Sequence, residues 1–174
     1  MTHNVDPDEI KGWFAGRIPD SWFTEAPEVT ADGEEILVVG RLSTASLPDD
    51  ATAAARTAAE RSRIDGFREE TRQARVRIAQ DAQHRFRRRV SWGAVCGDTR
   101  VLFTTVGTPV MTRLRMPERA VLDTLIEAGV ARSRSEALAW CVRLVGKNQG
   151  EWISSLREAL THVEKVRAEG PDSA

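Results

Sequence analysis

The sequence predicts an α+β fold in two parts: a mixed α/β N-terminal region with one long helix, and a C-terminal strand-helix-helix unit that dimerises and is followed by an extra amphipathic helix. In the first part, short apolar segments typical of strands flank a long Ala-rich stretch without proline. Gly107 and Pro109 interrupt the pattern before the second part. The predicted division is 1–10 as a disordered tail, 11–106 as the α/β region, 107–146 as the strand-helix-helix unit, and 147–174 as the last helix and tail.

Strand signals come first along the chain. Residues 12–23 mix aromatic side chains with turn residues, which predicts a strand broken near Pro19. A turn at residues 30–33 precedes residues 35–42, whose four successive aliphatic side chains predict a buried strand.

The stretch from residue 51 to residue 88 predicts a single long helix, which Asp49 or Asp50 could cap. Its apolar residues stay close to one stripe at the helical period, and Gly66 is its predicted weak point. Two short apolar segments follow, at 90–95 and 101–106. The turn residues between them predict a hairpin.

Charge is distributed unevenly along a chain whose net charge is −1. Residues 1–84 hold 10 Lys and Arg against 16 Asp and Glu, residues 85–147 hold 12 against 5, and residues 148–174 hold 3 against 5. A basic stretch between acidic flanks indicates an anionic partner, with nucleic acid the leading candidate. The alternative is that the acidic N-terminal part neutralises the basic part within the fold.

The basic run Arg87, Arg88 and Arg89 is a candidate for secondary nucleic-acid contacts, with Phe86 available for stacking. In the alternative interpretation, these charges complement the dipole at the end of a helix and Phe86 lies in the core.

Several functional classes have little support. No apolar run approaches the ~18 residues of a membrane span, and the acidic start lacks the zones of a signal peptide. Cys96 and Cys141 form neither a disulfide framework nor a metal-ligand spacing. Gly-rich phosphate loops, a nucleophile elbow and the H-E-x-x-H motif are absent from the sequence. We therefore expect a cytoplasmic protein that is not an enzyme and uses no cofactor or metal.

Residues 110–116 alternate in a way that is typical of a strand. Thr112, Leu114 and Met116 share one face, while the other face carries Met111, Arg113 and Arg115. One strand and two short helices cannot bury a core alone, so the apolar face of the strand is expected to need a partner. An identical strand from a second chain is the simplest one.

Two helices are predicted after this strand. Pro117 suits the first turn of the first helix, and Gly129 suits its end. Ser133 and Glu136 have the spacing of a capping box at the start of the second helix. Residues 149–169 predict a third amphipathic helix, which could cover the unit, pair with its mate across a dimer, or dock a partner.

The segments Leu122–Gly129 (LDTLIEAG) and Ser133–Ala137 (SRSEA) resemble the ribbon-helix-helix family of repressors and antitoxins. The resemblance implies that two copies pair their strands into an antiparallel ribbon that enters the major groove of DNA. It implies that Arg113 and Arg115 read bases beside Met111, and that the helix start at Ser133, Arg134 and Ser135 holds a phosphate.

The resulting hypothesis is a dimeric duplex-DNA-binding protein of the nucleoid, either a transcriptional regulator or a nucleoid-associated protein. Its N-terminal region would be a sensor, an oligomerisation unit or a second binding surface, and could bind a protein partner; no membrane is involved. The alternative is an interaction protein, or one associated with RNA or the ribosome, that uses the unit only to dimerise.

Overall fold

The structure is a computed structural model that describes residues 6–169, and within them it has six helices and one four-stranded sheet. The α+β class is therefore confirmed. The chain divides into two compact units, residues 1–109 and residues 110–174. The first unit contains α1 (Pro7–Arg17), β1 (Glu28–Ala31), β2 (Glu35–Arg41), α2 (Ala53–Glu70), α3 (Arg72–Phe86), β3 (Arg89–Cys96) and β4 (Thr99–Leu102).

The sheet has the order β1-β2-β3-β4, with β2 and β3 parallel at the centre and both outer pairs antiparallel. Parallel neighbours need a long crossover, which α2 and α3 provide. The predicted buried strand at β2 and the predicted β3–β4 hairpin are confirmed, and Gly97 takes a positive φ of 55° in the turn. The second hairpin strand ends at Leu102, so residues 103–106 were wrongly included in it.

The core of the first unit lies on one face of the sheet. Alternate residues of β2 and β3 point to this face, where they pack against side chains of all three helices. The buried members from the two central strands are Ile36, Val38, Trp92, Ala94 and Cys96.

The first helix corrects two predictions. Residues 7–17 form α1, so residues 7–10 are not a disordered tail, and no part of residues 12–23 is a strand. Asp6 caps the helix by accepting from the Asp8 amide at 2.9 Å, and a proline follows in the first turn. The prediction for residues 1–5 lies outside the described residues.

Phe14 anchors α1 to the sheet. Its side chain is fully buried, with ring centroids 5.0 Å from Trp13 and 6.1 Å from Trp92. We expect Phe14→Ala to lower the free energy of unfolding of this unit by about 3–5 kcal/mol, because it removes an aromatic ring from a close-packed core. Chemical denaturation followed by circular dichroism measures this change. Lys11→Ala, on the exposed side of α1, is the control, and an equal loss in both variants would contradict the assignment.

The predicted single long helix is two helices that meet at Thr71, and the break does not fall at Gly66. The Thr71 hydroxyl donates to the Phe67 carbonyl at 2.6 Å and accepts from Nε of Arg75 at 2.9 Å. Nη2 of buried Arg75 donates to the Arg68 carbonyl at 2.6 Å, and its guanidinium lies 4.8 Å from the centre of the Phe103 ring. Arg75 thus links this junction to Phe103 through a tertiary contact, which helix propensity alone does not reveal.

The second unit contains α4 (Met116–Glu127), α5 (Arg134–Asn148) and α6 (Gly150–Glu169). The predicted stop at Gly129 is confirmed by its positive φ of 75°. Residues 110–115 form no strand in the single chain, and Met116 begins a helix. A strand needs a neighbour for its backbone hydrogen bonds, and the described part of one chain offers this segment none. The predicted tail beyond residue 169 lies outside the described residues.

None of the helices in the described residues combines the length and the apolar character that a membrane span requires.

Candidate nucleic-acid interface

The segment before α4 exposes the side chains that the sequence singled out. Met111 is 96% exposed, and Arg113 and Arg115 are exposed on either side of half-buried Leu114. Arg115 has extended backbone angles, φ −81° and ψ 174°. Within the described residues neither arginine has an ion-pair partner, so both guanidinium groups are available to an external anion.

Three contacts fix the end of this segment against the helices. The Leu114 side chain packs on the small core of the second unit. Its carbonyl accepts from Nη1 of Arg119 at 2.8 Å, and the Arg115 carbonyl accepts from the Arg119 amide at 3.0 Å. The inward leucine leaves its two arginine neighbours facing outward, as the predicted alternation requires.

The start of α5 has the predicted cap. The Ser133 hydroxyl accepts from the Glu136 amide at 3.2 Å. The Glu136 carboxylate reaches back to accept from the Arg132 amide at 2.9 Å, which lowers the pKa of Glu136. The backbone amides of Arg134 and Ser135 lie in the first turn of the helix, where the helix dipole favours an anion.

The Arg134 side chain makes a contact that the sequence analysis did not predict. Its guanidinium donates twice to the Asp123 carboxylate, from Nε to Oδ1 at 2.8 Å and from Nη2 to Oδ2 at 2.8 Å. This bidentate pair joins α4 to α5 and lowers the pKa of Asp123. Arg134 therefore braces the helix pair, and only its backbone amide remains suited to a phosphate.

The lowered pKa of Asp123 predicts a pH dependence. The pKa of Asp123 in the folded protein lies below its ordinary value of 3.8. The ion pair with Arg134 therefore contributes stability that is present above pH 3.8 and is lost as the pH falls through the lowered pKa. Amides of α4 and α5 in Asp123→Asn should therefore exchange hydrogen faster than wild type at pH 6, and this difference should shrink on acidification below pH 3.8. Glu127→Gln, an exposed carboxylate on the same helix, is the control. A difference that stays constant with pH would contradict the role of the pair.

The second unit leaves much apolar surface uncovered. Its buried core consists of Leu122, Ala131 and Ala137. Large apolar side chains on α4 and α5 stay exposed outside this core, namely Met116, Val121, Val142, Leu144 and Val145. This number of large exposed apolar side chains on two neighbouring helices favours a contact with another chain.

The basic run at the end of α3 lies beside acidic residues of its own unit. Arg87 takes a left-handed φ of 57° at the helix end, and Arg88 contributes to lowering the pKa of Asp32. The Arg89 amide donates to the Glu34 carbonyl at 3.1 Å. Phe86 is buried in the core, so it is not available for stacking on a base. This environment favours the interpretation of a helix end over that of a separate nucleic-acid site.

Two residues of the candidate interface were missed from the sequence. Asp123 belongs to the segment Leu122–Gly129, but no role was predicted for it. The opposite charges of Asp123 and Arg134 were the sequence signal that could have indicated their pairing. No sequence pattern indicated the contact of Arg119, because this side chain donates to a backbone carbonyl, which every residue has. Among residues 6–169, no group of His, Cys, Asp and Glu side chains is placed to hold a metal ion.

Comparison with known proteins covers nearly the whole chain. Residues 8–102 match the family model described as "Rv1265-like protein, N-terminal domain", and residues 115–167 match the "Mb1296 C-terminal domain". Arg113 lies just before the second match, and Arg115 is its first residue. The two descriptions mention no ribbon-helix-helix unit.

Two relatives are similar over most of their length. The proteins Rv1265 of Mycobacterium tuberculosis and Mb1296 of Mycobacterium bovis are each 52% identical to this chain over 160 residues. Each match spans 92% of this chain and 69% of the relative. No solved structure matches the chain. On these matches, the chain belongs to the family of Rv1265-like proteins.

Proposed function

We propose that this protein is a dimeric duplex-DNA-binding protein, a transcriptional regulator or nucleoid-associated protein, that reads the major groove with a two-stranded ribbon. The ribbon would form from residues 110–116 of two copies. The observation that carries the proposal is the segment before α4, where Arg113 and Arg115 face outward without ion-pair partners around an inward-facing Leu114.

The uncovered backbone and apolar side chains of the second unit support a second copy as the partner. Arg115 has extended backbone angles, and residues 110–115 have no strand neighbour in the single chain. An antiparallel copy would supply the missing backbone hydrogen bonds and would cover exposed side chains of α4 and α5. A two-stranded ribbon fits the major groove, where arginine can donate two hydrogen bonds to guanine.

Phosphate contacts would set the orientation on the duplex. The backbone amides of Arg134 and Ser135 lie in the first turn of α5. They can donate to a phosphate there, where the helix dipole favours an anion. Ser133 would act by holding the helix start through its cap, and Arg134 by bracing it against Asp123.

The test begins with selection of preferred duplexes from a random pool, followed by fluorescence anisotropy with the selected duplex, an unrelated duplex and single-stranded RNA. We expect tight binding to the selected duplex that weakens steeply with salt. Absence of duplex binding at low salt would reject the proposal. Preference for RNA would instead support the alternative in which the unit only dimerises.

A further inference from the structure

A cavity of about 570 Å³ opens in the first unit, beside the carboxyl end of β2. Leu42 and Ser43, which follow that strand, line one side of it, and residues of α2 line another. Crevices outside the carboxyl ends of parallel strands are the usual ligand sites of open α/β sheets. A volume of this size suits a small organic molecule.

The lining of the cavity changes in character along α2. Nη1 of Arg63 donates to the Ser43 hydroxyl at 3.1 Å. Phe67 lies one helical turn further on, with its ring centroid 5.6 Å from that of Trp22, and Glu70 follows after another turn. Because each helical residue rises about 1.5 Å, Arg63 and Glu70 are about 10 Å apart along the axis. The cavity therefore has a cationic end, an aromatic middle and an anionic end.

Gly66 leaves part of the cavity open. Glycine inside a helix is less stable than alanine, so its presence there needs a reason. Gly66 is half-buried, yet a Cβ at this position would have no atom within 4 Å, so packing within the chain does not require glycine. Gly12 and Gly16 of α1 have similar open space because they are exposed, whereas Gly66 lines the cavity. The missing side chain thus leaves room for another molecule.

We propose that this cavity binds a small organic monocarboxylate, whose carboxylate pairs with Arg63 and whose apolar body contacts Trp22 and Phe67. Among the described residues Arg63 has no ion-pair partner, so its guanidinium is free to donate two hydrogen bonds to a carboxylate. The Glu70 carboxylate at the other end would repel a second anionic group, which disfavours dicarboxylates and doubly charged phosphate esters. A neutral ligand would leave the cationic end unmatched.

The inference goes beyond the proposed function. All the residues that line the cavity belong to the first unit, and its ligand requires neither a ribbon nor DNA.

Titration of the full-length protein tests the class of ligand. The indole N–H signal of Trp22 in two-dimensional NMR spectra, assigned with Trp22→Phe, reports binding at the cavity. We expect phenylacetate and octanoate to bind with dissociation constants of about 1 mM or below. Phenylacetamide lacks the charge, and para-phenylenediacetate adds a second carboxylate at the far end of the ring. Both should bind at least about tenfold more weakly than phenylacetate. Equal affinity for phenylacetate and its amide, or no shift of the Trp22 signal with either acid, would overturn the proposal.

Two variants test the residues that line the cavity. Arg63→Gln should raise the dissociation constant for phenylacetate at least about tenfold, because it removes the cation, while the exposed control Arg61→Gln should not. Gly66→Leu should have a similar effect by filling the cavity, and Gly12→Leu on α1 is its control. Since leucine favours a helix and the space at Gly66 is open, circular dichroism should show preserved helix content. Wild-type affinity in Gly66→Leu, or equal affinities of the two arginine variants, would overturn the proposal, whatever the result of the DNA experiments.

Discussion

Replacing Arg113 and Arg115 together by alanine is expected to weaken binding to the selected duplex at least about a hundredfold. A bidentate arginine–guanine contact contributes about 1–3 kcal/mol of discrimination, and a ribbon of two copies presents four such side chains. Neither arginine is needed for an ion pair within the described residues, so the change should leave folding and self-association intact. Anisotropy across a salt titration measures the loss and the change in salt dependence.

The contrast between duplexes separates base reading from simple charge attraction. Binding to an unrelated duplex should fall less than binding to the selected duplex, because it loses only phosphate attraction. The matched control is Arg61→Ala/Arg77→Ala, which removes the same charge from exposed positions on α2 and α3. Equal affinity of the Arg113→Ala/Arg115→Ala variant and wild type for the selected duplex would reject the ribbon as the reader.

Elements that are determined within a few residues could be predicted from the sequence. Ser133 and Glu136 predicted the start of α5, because a capping box uses only neighbouring backbone amides. Gly129 marked the end of α4 because a left-handed backbone favours glycine. The aliphatic run of β2 predicted a buried strand because it lies at the centre of the sheet.

Elements that depend on distant contacts were predicted less well. The aromatic residues of α1 resembled a strand, although the Asp6-Pro7 start and the spacing of Ile10 and Phe14 fit a helix that packs on the sheet. At the break, Arg75 donates to the Thr71 hydroxyl and contacts the Phe103 ring, which lies far away in the sequence. No local pattern reports such a contact.

In the candidate interface, too, local features were predicted and contacts between separate elements were not. The outward placement of Arg113 and Arg115 follows from alternation around Leu114. The contact of Arg134 with Asp123 joins two helices across a turn and was not predicted, since the phosphate expectation concerned the backbone amides at the start of α5. The pairing of two strands stays a prediction, because its partner is another chain.

A second copy is also expected to cover the end of α5. Leu144 and Val145 continue the face of α5 that buries Ala137 and half buries Cys141, yet they are 41% and 48% exposed in the single chain. The apolar face of this helix is buried in its first half and uncovered in its second half. The second half therefore needs contacts that the single chain does not supply. We therefore expect a second copy to cover this exposed part.

We expect Leu144→Asp/Val145→Asp to raise the dissociation constant of the dimer at least about a hundredfold, since each half-exposed side chain contributes roughly 1 kcal/mol on burial and two chains lose two each. Sedimentation across a dilution series measures this constant. At protein concentrations below this dissociation constant, DNA affinity should also fall, because one chain provides only half of the ribbon.

The matched control is Ala139→Asp/Gly146→Asp, which adds the same two charges to the opposite face of α5, where space around Gly146 is open. Dimerisation should be preserved in this control. If the Leu144→Asp/Val145→Asp variant stayed dimeric, α5 would not form the interface. If it became monomeric but bound the selected duplex as tightly as wild type, reading by a two-chain ribbon would be excluded, because a lone segment of residues 110–116 has no antiparallel neighbour to hold its arginines in the groove.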